Sequence, residues 1–303
     1  MGVMPHVHND EFVLTNMKNM VKPGGKVFIS MIDPNNPIFV HSDIGRGLLI
    51  AKRAGMRINP KNICSSLLDF LSQQVGKDFS RLLFPAFNYD YGDTRLYRPD
   101  IDPVQVGALP EWVRNNCGFS RSDIPFFSVL SKSNLALNST DVINPFGAES
   151  VFGWLVAHDA TLALFGADLS SLTFIHHVEE MAGKPVYRYE KSFPGQIIRG
   201  EDINACEFTM HVRPMGIHMD YAWQRLEQDL ISDGILKVER HSHEVKHIKA
   251  VRLLEYWGNR ILDDPLYLLD AQSKAYFEVK TELGLRRIRI EEFENREVSY
   301  DRQ

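Results

Sequence analysis

Cysteine is scarce in this chain: Cys64, Cys117 and Cys206 are the only three among 303 residues, an odd number with no CxxC pair. That excludes a disulfide framework and a zinc ribbon, and it points to a reducing, cytoplasmic setting. No apolar run approaches the roughly 18 residues needed to span a bilayer. Asp10 and Glu11 stand where a signal peptide would carry its apolar segment, so neither secretion nor membrane insertion is expected. Basic residues are not in excess either, since 34 Lys and Arg face 39 Asp and Glu, a formal net charge of −5. Without a basic field, nucleic acid is not an expected partner, and a small molecule is the default ligand. A Gly-rich phosphate loop is also missing. The turn Lys22-Pro-Gly-Gly-Lys26 before an apolar strand occurs in methyltransferases that use S-adenosylmethionine, but no GxGxxG-like segment precedes it. It therefore reads as a plain turn.

What is present is an alternation of strand-like and helix-like segments, with 44% hydrophobic residues to build a core. Residues 10–20 read as a helix and 27–31 as a strand. Strands follow at 38–41 and 82–84 with helices at 47–54 and 60–75 between them, and a further helix lies at 106–115. Later strands are expected at 161–166, 185–191, 206–212 and 235–240, with helices at 221–233, 244–256 and 266–280. This pattern predicts an α/β fold: a single three-layer-like domain with a central mixed, largely buried β-sheet flanked by helices. An N-terminal extension (1–36) packs on the main domain (37–303), and the C-terminal third is an elaboration that caps the sheet, forms a homodimer contact or shapes a cleft.

The segment Thr173-Phe-Ile-His176-His177-Val-Glu179-Glu180 follows the apolar run 161–166 across the short loop Asp168-Leu-Ser-Ser171. Ligands of open α/β folds bind at such strand-to-helix handovers. His176 and Glu179, three residues apart, share a helix face, as do His177 and Glu180 on a face rotated by about 100°. Either pair can make a base held by an acid, suited to removing a proton near neutral pH. The same spacing also arises on ordinary solvated helix faces.

Other clusters are open to two readings. His243 and His247 have metal-like spacing, although Ser242 can instead cap a helix starting there. His6 and His8 are incidental. In the long loop 85–106, Asp90, Asp93, Asp100 and Asp102 are suited to ammonium groups, whereas Arg95 and Arg98 are suited to a phosphate. Arg121 with Ser120 and Ser122 offers another phosphate-like set.

Ordered blocks tie these pieces together: Val40-His41-Ser42, Phe84-Pro85, Val106-Gly-Ala-Leu-Pro110, Arg121-Ser122 with Pro125 and Ser128, Phe146-Gly-Ala-Glu-Ser150, and Thr173-xx-His176-xx-Glu179. In order and spacing, from about residue 37 to 233, they resemble the aminoglycoside 3-N-acetyltransferase family, which is unrelated in fold to the histone-acetyltransferase-like enzymes. The resemblance implies direct acetyl transfer from acetyl-coenzyme A to a sugar amine, with no metal. It selects His176 as general base and Glu179 as its orienting partner. It assigns coenzyme binding to His41, Ser42, Asp43, Arg121, Ser122 and Ser128, and it draws the acceptor pocket from Tyr89, Asp90, Arg95, Arg98 and Glu149. Two positions depart from the pattern of the resistance enzymes: Ile124 replaces a His and Ala86 a Thr. With Arg95 and Arg98 nearby, these departures favour a phosphate-bearing acceptor, a nucleotide-linked amino sugar for surface-glycan biosynthesis. An aminoglycoside-resistance enzyme, or a relative that binds coenzyme without turnover, is the alternative.

Overall fold

The structure is a computed structural model that describes residues 36–282 apart from 54, 56, 60, 75–78, 133–134, 136–141 and 240–241. The expected N-terminal helix and strand, and nearly all of the extension 1–36, lie outside the described residues. In chain order the elements are β1 (Ile38–Ser42), α1 (Ile44–Arg53), α2 (Ile63–Gln74), β2 (Leu82–Pro85), α3 (Tyr91–Thr94), β3 (Leu96–Tyr97), α4 (Ala108–Asn116), β4 (Ser120–Arg121) and β5 (Val129–Ser131). They continue with α5 (Val151–Ala157), β6 (Thr161–Phe165), α6 (Phe174–Met181), β7 (Tyr189–Arg199), β8 (Asp202–Val212), α7 (Trp223–Ser232), β9 (Lys237–Glu239), β10 (Ser242–Lys249), α8 (Ala250–Asp263) and α9 (Ala271–Glu282).

Seven strands form the central sheet in the order β4-β5-β2-β1-β6-β10-β9. β1 lies at its middle, parallel to both β2 and β6, and antiparallel strands flank this parallel core. A strand covered on both sides must be apolar on both. Accordingly Phe39 joins the core on one face while Ile38 and Val40 join a second core on the other. Residues of α1, α2 and α4 pack into the second core, and those of α5, α6 and α8 into the first. Three layers result, as expected for the mixed, largely buried sheet.

The elaborations differ from the sequence reading. Residues 242–249, expected to open a helix, form β10 antiparallel to β6, with Val245 opposite Phe165 and Lys249 opposite Thr161. Otherwise β6 would be an edge strand with unpaired amides beside the core, and tertiary pairing overrides the local helix signal. Residues four apart on a strand lie about 13 Å apart, so His243 and His247 cannot share one cation. The strands expected at 185–191 and 206–212 are the inner ends of a longer hairpin, β7 and β8, eleven residues each. Pro194 and Gly195 interrupt the strand signal in the sequence. With β3 the hairpin forms a second, three-stranded sheet that sequence reasoning missed. The loop 85–106 is tied down rather than loose: Asp102 accepts from Asn88 Nδ2 at 3.1 Å and from Arg98 N at 2.8 Å. Among the described residues no helix is long and apolar enough to cross a membrane.

The strand end that feeds α6 depends on Gly166, which has φ +72 and lies against α1. A Cβ there would sit 2.7 Å from Arg46 Cβ and 3.0 Å from the Gly47 amide. Gly200 in the β7–β8 turn has φ +56 with nothing within 4 Å. Gly166→Ala is therefore expected to cost about 2–4 kcal/mol, left-handed strain plus overpacking, and Gly200→Ala only the strain of about 1 kcal/mol. Urea unfolding of the two variants checks this; equal losses would contradict it.

Candidate active site

β6 ends at Gly166, and a single 3-10 turn, Leu169–Ser171, redirects the chain into α6, with Ser171 Oγ donating to the Asp168 carbonyl at 2.7 Å. Phe174, Ile175 and Val178 of α6 are buried, which anchors the helix on the core. The spacing of three then places His176 above Glu179, with Nδ1 2.9 Å from Oε2. Glu179 is 1% exposed, and His176 keeps 20% of its side-chain surface.

A buried carboxylate needs compensation, and the residues of this cluster supply it. His176 Nδ1 and His211 Nε2, the latter at 3.2 Å, face Oε2. Tyr187 and Tyr221 donate their hydroxyls to Oε1 at 2.7 and 2.6 Å. The buried Arg188 guanidinium lies 3.3 Å from Oε2 and donates to the Tyr221 hydroxyl at 2.6 Å. Burial pushes the Glu179 carboxyl up, but Arg188 and the hydrogen bonds from His176 and His211 outweigh it and hold it well below the usual carboxylate range. Burial pushes His176 down to about 4, helped by Arg188 and opposed by Glu179. The imidazole is thus neutral at pH 7. With Nδ1–H donating to Glu179, Nε2 carries the free lone pair.

The second pair behaves differently. His177 is buried and its Nδ1 donates to the Phe146 carbonyl at 2.7 Å, fixing the turn that opens α5 under the Ser150 cap. Glu180 turns to His211 Nδ1 at 3.1 Å instead. His176, Glu179 and His211 place ligand atoms within 4.8 Å of one another, a spacing that could suit a cation. However, the lone pairs of Glu179 are already taken by four donors, and Arg188 adds a fixed positive charge beside them.

Sequence reasoning missed Tyr187, Arg188, His211 and Tyr221. They come from the second sheet and the loops around it, and nothing in their spacing ties them to α6; only the adjacent Tyr187-Arg188 entering a strand was a usable signal. Next to Tyr221, a groove of about 800 Å³ is lined by Trp223, Arg225, Tyr267, Asp264, Asp270 and Lys274. A second groove of about 430 Å³ shares Trp223 and adds Asp168 and Glu227.

The residues expected to bind coenzyme separate into two groups. His41 is buried at the end of β1 with Nε2 unpartnered, and the neighbouring Ser42 Oγ is buried and unpartnered too. Asp43 caps α1 by accepting from Arg46 N at 2.8 Å. Arg121, by contrast, is spent internally: it donates to the Asp102 carbonyl at 2.6 Å, to the Ala86 carbonyl, and to Ser128 Oγ at 3.1 Å. Ser128 donates to the same Ala86 carbonyl, and Ser122 Oγ accepts from Val129 N. These three hold strand ends together and present no free donors to a phosphate.

The expected acceptor residues are likewise dispersed. Arg98 is paired with Asp102 at 2.9 Å, and the Arg95 guanidinium lies 4.8 Å over the Phe193 ring with Nη1 buried. Tyr89, Asp90 and Glu149 are exposed on loops away from the Glu179 cluster, with no contact to it. The phosphate-binding role given to Arg95 and Arg98 therefore has no geometric basis. Ala86 and Ile124, the two departures that favoured a phosphate-bearing acceptor, are 0% and 1% exposed core residues.

The model of the family described as aminoglycoside 3-N-acetyltransferase matches residues 83–259, more than half of the chain. The chain belongs to the aminoglycoside 3-N-acetyltransferase family. Aminoglycoside N(3)-acetyltransferase VII of Streptomyces paromomycinus is 32% identical over 118 residues, covering 36% of this chain and only 41% of that relative. Among solved structures, the apoenzyme of aminoglycoside acetyltransferase AAC(3)-IVa matches with TM-score 0.58 and 16% identity over 82% of this chain and 92% of its own. AAC-IIIb, solved as a binary complex with CoASH, matches with TM-score 0.57 and 16% identity over 75% and 90%. At these identities the two structures establish the fold. Family and relative together overturn the expectation of a nucleotide-linked sugar for glycan biosynthesis, since both are aminoglycoside acetyltransferases.

Two buried neutral imidazoles set a pH window. His41, pushed down to about 4 by burial, and His176 both bind fewer protons folded than unfolded between about pH 4 and 6.5. Their contribution is complete above about pH 6.5 and is lost as pH falls toward 4, at up to about 1.4 kcal/mol per pH unit for each. Thermal unfolding at pH 7, 6 and 5 should show the fall, and His41→Gln should flatten it. A flat profile would contradict the burial of two neutral rings.

Proposed function

We propose that the protein transfers an acetyl group from acetyl-coenzyme A directly to an amine of an aminoglycoside. The observation that carries this reading is the neutral His176, hydrogen-bonded to an ionised, buried Glu179 beside a groove that holds carboxylates. An aminoglycoside amine is protonated near neutral pH and attacks an acyl group only after losing a proton. His176 takes that proton at Nε2, while Glu179 fixes the tautomer through Nδ1–H and meets the charge that develops on the ring. Arg188, Tyr187 and Tyr221 keep Glu179 in place and ionised. Donation by Tyr221 to Glu179 also occupies its single hydrogen, so it does not compete for the base.

Acetyl-coenzyme A, when bound, supplies the activated acetyl group. The unpartnered His41 Nε2 and Ser42 Oγ, at a strand end leading into the α1 N-terminus, suit a ligand rich in hydrogen-bonding groups and would hold it there. A relative of the same fold solved with CoASH supports the choice of coenzyme. For the acceptor, a polycation favours a cleft with several acids. Asp264, Asp270, Asp168 and Glu227 line the adjoining grooves, each now paired with a protein cation or imidazole: Lys274, His218, Arg46 and Lys246. Ammonium groups of the acceptor would exchange with those partners. Related AAC(3)-IVa structures contain a gentamicin or apramycin, which supports an aminoglycoside as the class.

Thiol release from acetyl-coenzyme A with an aminoglycoside panel tests the proposal. His176→Ala is expected to lower turnover by at least about 10²-fold with coenzyme affinity retained, and Glu179→Gln by about tenfold to 10²-fold. His177→Ala should act through stability rather than the chemical step. No release with any aminoglycoside, or full turnover without His176, would overturn the reading.

A further inference from the structure

His211 has an unusual set of neighbours. Its ring is 3% exposed, lies against Phe146 with centroids 4.9 Å apart at 33°, and sits 5.9 Å from the His176 ring. Nε2 faces Glu179 Oε2 at 3.2 Å, and Nδ1 faces Glu180 Oε2 at 3.1 Å. Both carboxyls are held below their ordinary range despite burial, which alone would raise them. An ionised carboxylate accepts and cannot donate, so a ring placed between two of them must carry hydrogen on both nitrogens. A lone pair aimed at either oxygen would replace a hydrogen bond with repulsion in a desolvated site.

The remaining charged groups around the ring are consistent with that state. On α6, Glu180 also lies 3.8 Å from Lys184, and it receives a hydrogen bond from the Asn144 side chain. Across the β7–β8 ladder His211 is opposite Glu190, whose carboxylate is 2.5 Å from Lys184. Arg188 and Tyr221 face it only through Glu179. Two carboxylates thus flank His211 directly, and no cation touches it among the contacts of the described residues.

We propose that His211 is a positioning residue for the acetyl transfer: a buried imidazolium that clamps Glu179 to Glu180 and keeps His176 a free base. This rests on the acetyl-transfer reading for its purpose, but not for its geometry. A positive ring behind Glu179 takes up part of the carboxylate's attraction, so Glu179 can orient His176 without holding a proton on it in the resting state. The clamp also joins β8 of the second sheet to α6 of the main domain, which places the rings of both histidines against Phe146.

The test is 15N-histidine NMR on the free chain, paired with kinetics. In wild type at about pH 8, where ordinary imidazoles are neutral, one ring with both nitrogens protonated is expected. Eleven neutral rings, the full histidine count of the chain, would overturn the proposal. In His211→Gln, which keeps a donor but no charge, loss of a positive charge about 6 Å away should raise the His176 titration midpoint by about one unit. The acid limb of kcat should move with it, and KM for coenzyme and acceptor should stay within about threefold. An unmoved His176 midpoint in folded His211→Gln would likewise overturn it. Neither NMR measurement needs coenzyme or acceptor, so a missing acetyltransferase activity would defeat the functional reading alone.

Discussion

The ionised side chain of Glu179 has no contact with solvent, and the rest of the site is arranged around meeting its charge. Arg188 provides the opposite charge, two tyrosines fill one oxygen, and two histidines fill the other. None of these partners is local to α6 except His176. The others arrive from residues 187–221, so the second sheet and the loop beyond it must dock before the base and its acid can be positioned. Stability and function are coupled here: removing any one partner leaves a buried charge or a buried lone pair uncompensated.

That dependence explains what could and could not be read from the chain. Period and length identify β1, β6 and α6 from local sequence, because strands buried on both faces read as continuous apolar runs and the α6 core face repeats at helical spacing. The His176–Glu179 spacing is legible for the same reason, and the ordered blocks around it point to the family. The compensating partners are not legible. Tyr187, Arg188, His211 and Tyr221 converge only through the pairing of β7 with β8, which no local period encodes. β10 was misread because its strand identity comes from the open edge of β6 rather than from its own residues.

Polar residues that look like ligand contacts in the sequence divide by whether the fold uses them up. Arg121 and Ser128 saturate the Ala86 and Asp102 carbonyls and so join three loops. Arg98 closes its own loop on Asp102. His41 and Ser42 are the opposite case, buried with nothing to bond. Native interiors rarely leave such groups orphaned, and the ones that remain are natural places for a ligand to complete the network. The same distinction accounts for the corrected acceptor: the residues that suggested a phosphate are internally paired, whereas carboxylates gather in the grooves beside Tyr221.

The measurement closest to the centre of this account is the protonation of Glu179 itself, followed by 13C NMR of a chain labelled at glutamate side-chain carboxyls, with Glu179→Gln to assign the signal. The account predicts a carboxyl still ionised at about pH 4, where ordinary glutamates are more than half protonated. A Glu179 signal that titrates at or above the ordinary glutamate value would contradict it, because a neutral acid could neither hold Arg188 nor steady a protonated His176.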